Sequence, residues 1–153
     1  MRLWHYKLLP LLNDKLLISQ WRECCAVSSM YSQDRKFSLV NRIYDYPPIH
    51  TKVYSDLVVQ EMKNRGFKIN QNSYEKLCKN LDRKCTDYSL EKDSEDNIYI
   101  VYRNIKSQLF YNWHTTRYFL QNYYNIQEKV DCGLFSEEDL RKIGSYMDKF
   151  KLR

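Results

Sequence analysis

The first residues able to do chemistry stand at the start of the chain. Met1 is followed by Arg2, a side chain too large for routine removal of an initiator methionine, so the sequence predicts a mature chain that begins with the Met1 α-amine. Such an amine has a pKa near ~7.7–8.0, and Arg2 or Arg22 beside it lowers that further by like-charge repulsion. Neutral in large part, it can attack an electrophilic carbon and form a Schiff base. Every protein carries an α-amine, so the feature gains meaning only with a partner. Gln20-Trp21-Arg22-Glu23-Cys24-Cys25 offers one. Glu23, projecting from a helix among apolar neighbours, can move protons during imine formation and elimination if the chain start folds back onto it. The residues alone leave a plainer reading open, that of a surface carboxylate paired with a Lys or Arg.

Charge points towards a polyanion. The chain has 153 residues, with 25 Lys+Arg against 19 Asp+Glu, for a net charge of +6. The excess lies in the first half, around Arg2, Lys7, Arg22, Arg35, Lys36, Arg42, Lys52, Lys63, Arg65 and Lys68. A basic face attracts phosphates with release of counterions, although a solvated face without a partner has the same composition. Tyr99, Tyr102, Tyr111, Tyr118, Tyr123 and Tyr124 cluster with Phe110, Trp113 and Phe119. Aromatics beside cations can stack unpaired bases, yet at helical spacing they more often build core.

Other chemistries find little support. His5, His50 and His114 are scattered, without metal or triad spacing. The five cysteines are odd in number, and Cys24 and Cys25 are adjacent, which speaks against a disulfide framework. Cys78 and Cys85 lack the close ligand pairs of a zinc site, and no Gly-rich phosphate loop is present. No apolar run approaches the ~18 residues needed to span a bilayer. No signal peptide is expected either.

The elements that must position these residues read as all-α. Asn13 to Ser28 forms a first helix, capped by Asn13 or Asp14, with Leu17, Trp21, Cys24, Cys25 and Ser28 on one stripe and Gln20, Arg22 and Glu23 interleaved with it. Ser28 to Lys36 reads as a loop, and Phe37 to Tyr46 as a short helix stopped by Pro47-Pro48. A clearer helix runs from Pro48 to Arg65 with Gly66 as its stop. Ser73 to Leu81 is a shorter one, residues 82–97 a connection, and Ile98 to Asn125 helical by default, with a lone strand at Asn97 to Tyr102 as the alternative. Ser136-Glu137-Glu138-Asp139 caps the last helix. The chain divides into a helical core, residues 1–97, and a C-terminal helical extension, residues 98–153, packed on it or appended to it.

Met1-Arg2-Leu3-Trp4-His5, Leu8 to Leu12, and Trp21-Arg22-Glu23-Cys24-Cys25-Ala26 together resemble the opening of the bacterial branch of the pyrimidine-dimer DNA glycosylase family, to which the phage enzyme endonuclease V belongs. Tyr54 to Phe67, with Glu61-Met62-Lys63 and Arg65-Gly66-Phe67, is similar to a later helix of that family and its glycine stop. The likeness covers mainly residues 1–69. It implies a compact, single-domain, all-α fold and a bifunctional glycosylase and abasic-site lyase acting on damaged double-stranded DNA, with no metal or cofactor. It also implies that the Met1 amine is the nucleophile and Glu23 the acid/base carboxylate, while Arg2 and Arg22 hold phosphates and nucleotide flipping is the recognition step. Arg35 and Lys36 stand where relatives carry a basic Gly-rich loop, and would make DNA contacts there.

A cytoplasmic, nucleoid-associated enzyme follows as the leading expectation. The alternative from a different class is a non-catalytic nucleic-acid-binding or protein-interaction domain on the same scaffold. A third reading makes residues 98–153 a partner-docking or dimerising appendage, with homo-oligomer formation through the C-terminal helices.

Overall fold

The computed structural model describes residues 2–33, 41–81 and 87–153. Arg2 to His5 form an extended arm that leads into a 3₁₀ turn, Tyr6–Leu11. His5 caps this turn by accepting the Lys7 N–H, and Pro10 lies inside it. Helix α1 spans Asp14–Gln33. Asn13 supplies its cap, since Asn13 Oδ1 accepts the Leu16 N–H at 2.9 Å. The helix runs past Ser28 to Gln33, where a loop is expected; residues 34–36 of that stretch lie outside the described residues. Inside it the Ser28 and Ser29 hydroxyls bond back to the carbonyls of Cys25 and Ala26, which lets these polar side chains sit within a helix.

A second 3₁₀ turn, Asn41–Asp45, precedes α2, Pro48–Asn64. Gly66, at φ 86°, ends α2: its N–H reaches the Lys63 carbonyl while the Phe67 N–H reaches that of Met62. Helix α3 is Gln71–Leu81, with Asn70 accepting the Ser73 N–H at 3.1 Å. Of the short helix expected over Phe37 to Tyr46, residues 37–40 lie outside the described residues and Asn41–Asp45 form the second 3₁₀ turn.

The all-α expectation is corrected over residues 88–108. Strands β1 (Tyr88–Lys92), β2 (Ile98–Tyr102) and β3 (Ile105–Gln108) form an antiparallel sheet in the order β1-β2-β3. Residues 98–108, expected to be helical, are therefore two of its strands, and the connection read over residues 82–97 contains the third. The run Ile98-Tyr99-Ile100-Val101-Tyr102 is β-branched and aromatic, and its residues alternate in burial, with Ile98 and Ile100 inside. Turn chemistry settles the outcome. Tyr102 pairs with Ile105 across Arg103-Asn104, both left-handed at φ 51° and 62°, the geometry of a two-residue hairpin. Between β1 and β2, Asp93 Oδ1 accepts the N–H groups of both Glu95 and Asn97 at 2.9 Å.

The turn-rich stretch 109–115 leads into α4, Thr116–Asp131, capped by Thr115. Helix α5 is Glu137–Lys149, and Ser136 caps it as its sequence signals. One hydrophobic core joins α1, α2, the sheet and both C-terminal helices, with Leu17, Val53, Tyr54, Phe110, Phe119, Ile126 and Met147 fully buried. Each such Leu, Ile or Phe side chain contributes about 1.5–3 kcal/mol. No helix among the described residues is long and apolar enough to cross a membrane.

Candidate active site

An extended arm has no ladder partner of its own, so its backbone groups need acceptors and donors from elsewhere. Side chains from three helices supply them. The Arg2 N–H donates to Glu23 Oε2 at 2.8 Å. Gln20 Nε2 donates to the Arg2 carbonyl at 3.0 Å and to Glu23 Oε2 at 3.2 Å. The Trp4 N–H donates to Gln20 Oε1 at 2.9 Å. From α2, the Tyr54 hydroxyl donates to the Trp4 carbonyl at 2.6 Å and lies 3.1 Å from Gln20 Oε1. From α4, Tyr118 donates to the Leu3 carbonyl at 2.6 Å, and Asn122 Oδ1 accepts the His5 N–H at 2.7 Å. His114, just before α4, accepts the Tyr6 N–H on Nδ1 at 3.1 Å, and its carbonyl pairs with His5 Nε2 at 2.9 Å.

This lacing brings the chain start and Glu23 together. Arg2, Trp4, Leu16, Ser19, Gln20, Glu23 and Lys129 line a cleft of about 360 Å³. Among the described residues, the half-buried Glu23 carboxylate accepts from the Arg2 N–H and from Gln20, both on Oε2. The Arg2 guanidinium lies 5.0 Å from the centre of the Trp4 ring, a cation–π contact that fixes a positive charge at the rim. Tyr118 is near both charges: burial pushes its hydroxyl up, while an Asn122 hydrogen bond and Arg2 pull it back. A carboxylate beside an anchored backbone, under cationic side chains, can relay protons and stabilise developing positive charge.

Of the residues named from sequence, Glu23 and Arg2 meet in the cleft. Arg22 is exposed on α1, one position before Glu23. Met1, Arg35, Lys36 and Cys85 lie outside the described residues. Two members of the basic list have carboxylate partners instead. Lys52, 4% exposed, pairs with Asp56 at 2.6 Å inside a cluster with Tyr74 and Tyr88. Arg65 binds Glu61 and Asp14 at 2.9 and 3.0 Å. Neither adds net positive charge to a binding face.

Gln20, Tyr54, Tyr118, His114 and Asn122 are the residues that sequence reasoning missed. Gln20 carried a signal. It lies three residues after Leu17 and four before Cys24, both fully buried, so it is a polar residue on the apolar face.

Residues 1–75 match the family model described as pyrimidine dimer DNA glycosylase. The matched segment contains the arm, α1 and α2, and so Arg2, Gln20, Glu23 and Tyr54. Searches of curated proteins and of solved structures found no match.

Proposed function

We propose that the chain is a DNA-repair glycosylase and abasic-site lyase acting on damaged duplex DNA. The nucleophile is the Met1 α-amine, and Glu23 is its acid/base. One observation carries this reading: the 2.8 Å hydrogen bond from the Arg2 N–H to Glu23 ties the carboxylate to the backbone one peptide unit from the proposed nucleophile. The likeness of residues 1–75 to pyrimidine dimer DNA glycosylases supports it.

In the reaction the amine lone pair attacks the anomeric carbon of the deoxyribose. The glycosidic bond breaks with its electrons on the departing base nitrogen, and Glu23 passes a proton between the attacking and leaving groups. Sugar ring opening gives an iminium. Loss of the proton on the neighbouring carbon expels the 3′-phosphate, and water then hydrolyses the imine and restores the amine. Arg2 and Arg22 hold phosphates, as guanidinium forks do well, and Arg35 and Lys36 extend that contact. Such chemistry needs no metal or cofactor. A nucleoid-associated protein in the cytoplasm would meet this substrate.

Borohydride trapping on an abasic-site duplex tests the proposal. The full chain forms a reduced covalent adduct, Glu23→Gln diminishes it, and a blocked α-amine abolishes it. Trapping that persists with the amine blocked moves the chemistry to a lysine. Salt-sensitive DNA binding without any trapping leaves a non-catalytic binding domain, and neither one leaves a protein-interaction module.

A further inference from the structure

The turn that joins β3 to α4 is held in a costly backbone conformation. Phe110 and Asn112 are left-handed, at φ 49° and 64°, a region that suits Asn but that a bulky aromatic residue occupies only where its surroundings enforce it. The enforcement is visible. The Phe110 N–H donates to His50 Nδ1 at 3.0 Å, the Tyr46 hydroxyl donates to the Tyr111 carbonyl, and Arg42 Nη2 donates to the Asn112 carbonyl at 2.9 Å. Between these two left-handed residues Tyr111 is 41% exposed, whereas Phe110 and Trp113 are buried at 0% and 4%. The Tyr111 ring is braced from behind, edge-on to Tyr46 at 5.0 Å and to His50 at 5.7 Å. Arg42, also exposed, lies over Trp113 at 5.9 Å.

A chain of contacts joins this turn to the candidate active site. Trp113 packs 5.9 Å from Tyr118, whose hydroxyl holds the Leu3 carbonyl, and the adjoining Arg2 N–H holds Glu23. An exposed ring held in place, with a guanidinium bonded to the next residue of the same turn, is a combination that can bind an unstacked base and its phosphate. Fixing the ring in advance removes much of the ordering cost of binding.

We propose that Tyr111 and Arg42 form a second DNA contact, with Tyr111 stacking on a base unstacked at the lesion and Arg42 holding an adjacent phosphate. This inference rests on the DNA-repair reading above, and the test separates the two. Two labelled duplexes of one sequence are titrated by fluorescence anisotropy with the full chain at fixed salt. One is intact, and the other carries a tetrahydrofuran abasic analogue opposite an unpartnered base. Tyr111→Leu keeps apolar packing without a π-face, and it weakens binding to the abasic duplex by roughly five- to a hundredfold while leaving the intact duplex within about twofold. Tyr111→Phe retains wild-type binding to both, and circular dichroism confirms that each variant is folded. Arg42→Gln lowers the salt slope of binding by about one. Wild-type affinity of Tyr111→Leu for the abasic duplex, or an equal loss on both duplexes, overturns the stacking contact. An unchanged salt slope removes Arg42 from it. If the wild-type chain shows no salt-sensitive binding to either duplex, the DNA-repair reading itself falls and this contact falls with it.

Discussion

Replacing Gln20 with leucine, a side chain of similar size and equal helix propensity, removes the hub of the arm. Gln20 is 1% exposed, and its amide meets the Arg2 carbonyl, the Glu23 carboxylate, the Trp4 N–H and the Tyr54 hydroxyl. In Gln20→Leu the Tyr54 hydroxyl still has the Trp4 carbonyl. The Arg2 carbonyl belongs to a half-buried residue and can turn to water. The Trp4 N–H, in a residue only 6% exposed, cannot. An orphaned buried donor costs about 1–3 kcal/mol and the lost bond to a carboxylate about one more, so the variant loses about 2–4 kcal/mol. For a chain of this size the melting temperature falls by roughly 5–15 °C. The arm should loosen before the core does. Trypsin added below the transition therefore cleaves after Arg2 faster than in the wild type, and intact-mass measurement detects the product that begins at Leu3. A melting temperature within about 1 °C of wild type, with unchanged cleavage after Arg2, would refute the view that Gln20 holds the chain start.

Acid should destabilise the fold well before the carboxylates titrate. Burial pushes His5 down to about 3 and His50 to about 4, and holds His114 well below the ordinary range. Below pH ~6.5 the unfolded chain therefore binds more protons than the folded one. The stability from these neutral imidazoles is present above pH ~6.5 and is lost on the way down at about 1.4 kcal/mol per histidine per pH unit, or about 4 kcal/mol by pH ~5.5. Thermal melts at pH ~7.5 and ~5.5 check this, and equal midpoints would contradict the neutral, buried assignment. Lys52→Met strips the Asp56 carboxylate of its ammonium but leaves it the Tyr74 and Tyr88 hydroxyls. The expected loss is about 1.5–3 kcal/mol, measured by urea unfolding. At the β2–β3 turn, the double change Arg103→Asn and Asn104→Gly suits the left-handed backbone better, and should raise the melting temperature by about 2–4 °C.

Helices whose ends carry their own chemistry were legible from sequence. Asn13, Gly66 and Ser136 each mark a boundary by satisfying backbone groups that the helix leaves open, and the structure uses all three that way. The sheet was harder to read because neither of its turns contains glycine or proline. Arg103-Asn104 reaches left-handed angles without glycine, and the Asp93–Asn97 turn works through a side chain that copies a backbone bend. In the candidate cleft, the meeting of Arg2 with Glu23 could be expected from a chain start that folds back onto the first helix, 21 residues further on. Their supports could not: Asn122 and His114 are separated from their arm partners by 117 and 108 residues, and no local pattern encodes such a pairing.

The lacing of the arm also orders events during biosynthesis. Residues 2–6 emerge from the ribosome long before some of the groups that hold them, among them His114, Tyr118 and Asn122. Closure across so much chain is slow compared with local helix formation. Gln20, Glu23 and Tyr54 can engage Arg2 and Trp4 early, but the contacts to Leu3, His5 and Tyr6 must wait until most of the polypeptide has been translated. A product cut short before α4 would keep Gln20, Glu23 and Tyr54 on their helices while lacking the Tyr118 and Asn122 contacts that hold Leu3 and His5, so message truncation would loosen the arm without touching any residue in the cleft's α1 wall.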